Sequence, residues 1–215
     1  MRKIILHILK NIIYIIQLGI NYKSLKKAKH IYNKIYSIWL SYCFNKIGKN
    51  VYFQYPTTLI NPQNIQIKDN VSIGSNCILA CWIKIREQTF KSKIIIQENT
   101  IIGDYTHITS INKITIGKEV LTGRYCTITD NAHGLANNQD IEIPPNERLL
   151  SSKGEVYIGN KVWIGDKVTI LPGVRIGDCC IIGANSVVSH DIPPYSIAAG
   201  CPAQIIKHIN KSQQL

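Results

Sequence analysis

Residues 158–178 read Ile-Gly-Asn-Lys-Val-Trp-Ile-Gly-Asp-Lys-Val-Thr-Ile-Leu-Pro-Gly-Val-Arg-Ile-Gly-Asp, and an aliphatic residue returns at every sixth position. The row is Ile158, Ile164, Ile170, Ile176, and it continues through Ile182 and Val188. Glycine follows it at Gly159, Gly165, Gly177 and Gly183, and a compact residue sits four places after it at Val162, Val168, Val174, Cys180 and Ser186. Six is a multiple of the strand period of two and fits no helical stripe, so these are short strands. A fixed repeat of this length describes an all-β solenoid in which each rung buries its apolar row against the next.

Outward from that stretch, the phrases Ile182-Gly-Ala-Asn-Ser-Val-Val and Asp191-Ile-Pro-Pro-Tyr-Ser-Ile-Ala-Ala-Gly-Cys-Pro-Ala complete a recognisable text. From about Ile47 to Asn210 the chain resembles the hexapeptide-repeat acyltransferases, in particular the sugar and polysaccharide O-acetyltransferases of the galactoside/maltose group. The resemblance implies a left-handed parallel β-helix whose six-residue repeats form the sides of a triangular prism. It also implies homotrimers with active sites between subunits. The hand comes from the family alone, since most parallel crossovers are right-handed.

The chain has 215 residues, 45% of them hydrophobic, enough to bury a core in one repeat domain with an appendage. Its net charge of +12 favours an anionic partner. No nucleic-acid-binding signature accompanies it, so nucleic acid is not expected as a partner. The seven cysteines, Cys43, Cys77, Cys81, Cys126, Cys179, Cys180 and Cys201, show no Cys-x-x-Cys spacing. They read as reduced cytosolic thiols that fill small apolar spaces, which places the protein in the cytoplasm.

Residues 1–46 are expected to be helical. The apolar run from Ile4 to Ile20 is interrupted by Lys10, Asn11 and Gln17, which makes it poor as a spanning segment, and no small-residue cleavage site follows it. Ile5, Ile8, Leu9, Ile12, Ile16 and Ile20 share one helical face, and a cationic patch follows at Lys23, Lys26, Lys27, Lys29 and His30. Two readings stay open. Either the segment packs on its own solenoid or a trimer neighbour, or it is an interfacial helix drawn to anionic lipid on the inner face of the cell membrane.

Residues 47–190 form the expected β-helix, with its register clear through Ile67, Ile73 and Leu79. The register blurs between Ala80 and Lys93, where Arg86–Lys93 reads as a polar loop, slips at Ile111-Asn-Lys, and breaks after Ile128 into a polar excursion covering about 130–155. A long structureless loop inside a compact fold is usually functional. Acyl transfer from a thioester to a hydroxyl needs a base with a pKa near neutrality, and histidine is the natural choice. The resemblance gives that role to His133 in this loop. Asp130 and Asn131 are candidates to orient the imidazole or bind the acceptor, although ordinary turn chemistry also explains them. Thr109 stands where sugar-specific relatives carry an acceptor-binding Asn. His107 is a weaker candidate, and His7, His30 and His208 fall in expected helices. No histidine set of the kind a catalytic metal requires is visible, so no metal is expected.

The same resemblance implies that acetyl-CoA, the co-substrate, lies in the groove between adjacent solenoids. Trp163 would wall the thiol end. Asp166, Ala184, Ser189 and His190 match groove-lining positions, and Lys207 a basic position near the phosphates. Gln204 stands where sugar acetyltransferases often carry Arg. Residues 191–215 are expected to form a tail with a short helix. The chain thus reads as an acetyl-CoA-dependent O-acetyltransferase acting on a sugar or polysaccharide hydroxyl by direct transfer. The alternatives are an N-acetyltransferase acting on an amino sugar, nucleotide sugar or antibiotic, and a non-catalytic solenoid that binds a partner.

Overall fold

The computed structural model describes residues 2–19, 21–134 and 140–209; the portion of the expected loop at 135–139, Ile20, and the end of the expected tail lie outside these. The chain begins with two helices, α1 (Arg2–Gly19) and α2 (Tyr22–Ser41). Asn21 caps α2, its side chain accepting the Ser24 N–H at 3.0 Å. The chain then visits three parallel sheets in rotation. The first runs from Lys46–Ile47 to Arg175–Ile176 and has six strands. The second starts at Tyr52–Phe53 and has eight, and the third starts at Thr57–Ile60 and has six.

The six-residue row places one residue of each strand in the interior. On the first sheet Ile67, Ile96, Ile116, Ile158 and Ile176 stand in register, each at most 1% exposed. Leu79, Ile108, Ile128, Ile170 and Val188 make the matching row on the third sheet. Complete burial of each such side chain is worth about 1.5–3 kcal/mol. The short strands therefore hold together through stacking rather than through their own length.

Two devices set the spacing between passages. At the first, glycine lets backbones meet: a Cβ on Gly165 would lie 2.6 Å from the Ala184 nitrogen, and one on Gly103 would strike the Gly123 carbonyl. At the second, a carboxylate two places after the buried aliphatic residue accepts a backbone N–H from the preceding passage. Asp69 takes that of Lys49, Asp104 that of Ser75, Asp166 that of Arg124 and Asp178 that of Asn160, all at 2.7–2.9 Å. The sequence separations are 20, 29, 42 and 18. The same bond thus forms whether a passage is lean or carries an insertion.

α2 closes the lower end. Ser37 Oγ accepts the Phe53 N–H at 2.8 Å, Asn33 Oδ1 that of Tyr55 at 3.2 Å, and the Tyr36 hydroxyl that of Thr57 at 3.0 Å. Phe53 and Thr57 belong to edge strands with no neighbouring strand below them, and Tyr55 lies in the bend between the two.

The upper end departs from expectation. Parallel pairing continues past residue 190, with Ile181 and Ile182 against Ile197 and Ala198. The expected C-terminal helix is instead a strand, Ala203–His208, running antiparallel to Ser196–Gly200. A segment this short makes a marginal helix, whereas the edge of the second sheet offers a full set of backbone partners. His208 accordingly lies in a strand, its Nδ1 3.1 Å from Ser196 Oγ.

Candidate active site

The three interruptions of the register gather at one place, beyond the strands of the third sheet. The first, 84–89, is a small hairpin of Lys84–Ile85 and Gln88–Thr89. The second, 110–112, is held by Asp130, whose side chain is fully buried. Asp130 accepts from Ser110 Oγ at 2.6 Å and from the N–H groups of Ile111 and Asn112 at 2.8 and 3.0 Å. The carboxylate faces inward and satisfies a backbone turn that would otherwise bury free donors, which is the turn chemistry that also explained Asp130 in the sequence. Asn131 is spent the same way, donating to Thr109 O at 3.2 Å and to Asp130 Oδ1 at 3.3 Å.

The third interruption carries His133. Ala132–His133 pairs antiparallel with Leu150–Ser151, so the two ends of the excursion are zipped together at its base. Gly134, at φ +86°, turns the chain out of the hairpin, and Ser151 Oγ donates to its carbonyl at 2.6 Å. Gln88 from the first interruption holds Leu150, the residue opposite His133, by both backbone groups. Arg86 Nη2 also reaches across, to Asn146 O at 2.6 Å. His133 is thus an exposed imidazole on a braced hairpin rather than on a free loop.

A cavity of about 340 Å³ adjoins the hairpin, lined by Ala132, Gly134, Ser151, Lys153, Pro172 and Ser189 among others. Ser189 is the one cofactor candidate brought to this cavity, with His190 Nδ1 2.9 Å from its hydroxyl. Thr109 lies one strand below, its Oγ1 accepting the Trp82 indole N–H at 3.1 Å. His107, on the same strand between Ile78 and Thr127, is half-buried, and burial lowers its pKa.

The other candidates lie elsewhere. Trp163 stands exposed on the second sheet between Leu121 and Ile181, in a shallow cavity of about 290 Å³ that also contains Asp166 and Arg124. Ala184 packs against Gly165, and Lys207 is exposed on the final strand beside Ile197. His133 lines neither of these two cavities, and Trp163 lines only the shallow one. No cluster of three His, Cys, Asp or Glu suited to a metal occurs among those residues. Sequence reading missed Trp82, Arg86 and Gln88. Their signal was the blurred register at 80–93, which marks a loop but does not say which residues point inward.

The sequence profile of the bacterial transferase hexapeptide family (six repeats) matches residues 155–190. A protein of Escherichia coli (strain K12) named as a lipopolysaccharide biosynthesis O-acetyl transferase, WbbJ, is 36% identical over 167 residues, covering 75% of this chain and 81% of its own length. The chain belongs to the bacterial hexapeptide transferases. Within that family it is an acyltransferase. It is also 41% identical over 172 residues to the galactoside O-acetyltransferase of the same organism, covering 78% of this chain but only 65% of that enzyme. Among solved structures, AntD, an N-acyltransferase from Bacillus cereus in complex with dTDP and 3-hydroxybutyryl-CoA, shares the fold. Its TM-score is 0.67 at 24% identity, over 81% of this chain and 88% of that one.

Proposed function

We propose that this hexapeptide acyltransferase moves an acetyl group from acetyl-CoA to a hydroxyl of a sugar or polysaccharide. The observation that carries the reading is His133 on its clasped hairpin. The names of the two Escherichia coli relatives support hydroxyl acceptors. His133 accepts the hydroxyl proton as the oxygen attacks the thioester carbonyl; backbone N–H groups stabilise the oxyanion, and the departing CoA thiolate takes up the proton. The acyl group passes directly, without a cysteine ester. Cys77, Cys81, Cys126 and Cys180 are buried with their pKa values raised by that burial, which suits packing rather than attack.

The rotation of the chain through three sheets supports a coil, and membership of the family supports its left hand. His133 and Trp163 lie on different sheets of one chain. We read them as two halves of a site that is completed between copies in a homotrimer. His133 and Ser189 then come from one copy, and Trp163, Asp166 and Lys207 line the acetyl-CoA groove of the next. The test is acetyl-CoA turnover with free glycans and amino sugars, on His133→Ala and Trp163→Ala proteins alone and co-assembled. Each variant should be impaired, and mixed trimers should regain roughly the fraction of sites in which both residues are intact. Mixtures no more active than the separate variants would refute the composite site. Turnover confined to amino sugars would refute hydroxyl transfer.

A further inference from the structure

We propose that α1 and the outer face of α2 form a platform that lies on an anionic lipid surface. α1 carries Lys3, Lys10 and Gln17 along one side, seven residues apart, and Ile5, Ile8, Leu9, Ile12 and Ile16 along the other. That apolar side has no partner among the described residues: Ile8, Ile12 and Ile16 remain 52%, 48% and 55% exposed. The reading in which the segment packs on its own repeats is therefore not met within one chain.

α2 extends the platform because its apolar side faces outward. Its inner side is Asn33, Ser37 and Leu40, used to close the sheet stack. Opposite them Ile31, Ile35, Ile38 and Tyr42 form an exposed stripe at four- and three-residue spacing, with Trp39 beside it at 64% exposure. Lys27 and Lys34 flank this stripe and Lys23 lies one turn before Lys27. Apolar and aromatic residues bordered by lysines suit the boundary between acyl chains and headgroups.

Charge decides the occupant. Residues 1–68 contain eleven of the 25 Lys and Arg and none of the 13 Asp and Glu, so eleven of the twelve net positive charges lie there. A second copy of this surface would bring the same sign and no counter-charge. An anionic bilayer supplies it, at a distance where salt screens the attraction. No single helix among the described residues is long and apolar enough to cross a membrane, and α1 with α2 meets that measure only as a pair bent by 60°.

The test is flotation of the full-length protein with phosphatidylglycerol-containing vesicles and with pure phosphatidylcholine vesicles. The protein should float with the anionic vesicles at low salt and be released by high salt. Lys23→Glu/Lys27→Glu/Lys34→Glu should lower partitioning on the order of 100-fold, and Ile8→Asp/Ile12→Asp should abolish it. Both variants should keep full turnover on a soluble acceptor. Absence of binding at low salt, or equal binding to neutral vesicles, would overturn the proposal. So would resistance to salt and alkaline carbonate, which indicates a spanning segment. A fall in oligomeric size on Ile8→Asp/Ile12→Asp without lipid would make a second copy the occupant instead.

Discussion

Gln88 grips Leu150 by both of its backbone groups, accepting the N–H at 2.7 Å and donating to the carbonyl at 3.0 Å, directly across the hairpin from His133. A side-chain amide here does the work of a third strand. Two neutral hydrogen bonds are worth about 1 kcal/mol each net, enough to hold a two-stranded hairpin that is marginal by itself. Gln88→Ala should lower kcat by about tenfold, leave KM for acetyl-CoA nearly unchanged and speed hydrogen exchange at the Leu150 amide. Unchanged kcat with unchanged exchange would show that the clasp is idle.

His133→Ala should lower turnover by roughly 10²–10⁴-fold while oligomeric size and thermal midpoint stay close to those of the parent. The residue is exposed, so truncating its side chain opens no cavity in the core. Activity retained within a few-fold would remove it from the base role.

Asp130→Asn should behave in the opposite way. One of its two oxygens would become a donor facing backbone N–H groups at 2.8–3.0 Å, inside a fully buried site. The expected cost is about 2–3 kcal/mol of stability, read as a lower urea midpoint, with kcat at low temperature within several-fold of the parent. A hundredfold loss of kcat with unchanged stability would instead give Asp130 a direct part in the reaction.

The thiols predict a pH dependence. Burial pushes Cys77 and Cys81 from 9.0 to about 11, while the same groups ionise at about 9.0 once unfolded. Unfolding therefore releases protons above pH 9, and the stability these thiols contribute is intact below that and lost as pH rises towards 11. Cys77→Ala should flatten part of that decline. In the native state at neutral pH a thiol reagent should label exposed Cys43 and Cys201 readily, and buried Cys77, Cys81, Cys126 and Cys180 only on unfolding.

What was legible follows from which interactions are local. The strands were readable because every passage repeats the same burial, so Ile158 and Ile176 announce one another 18 residues apart. The loops were readable as breaks in that pattern. Their contents were not, because Gln88 and Leu150 lie 62 residues apart and share no pattern. An Asp before a catalytic loop and an Asp pinning a backbone turn are identical in sequence, so the turn contacts of the fully buried Asp130 side chain were not legible there. The C-terminal strand was missed since Ala203–His208 takes its conformation from Ser196–Gly200, not from its own composition.

A column of stacked parallel strands exposes unsatisfied backbone at top and bottom, and is in principle a seed for end-to-end polymerisation. Here Asn33, Tyr36 and Ser37 occupy donors at the bottom, and the chain folds back antiparallel over the second sheet at the top. The two terminal segments, which contribute least to the repeat, thus cover backbone positions that a further strand would otherwise use.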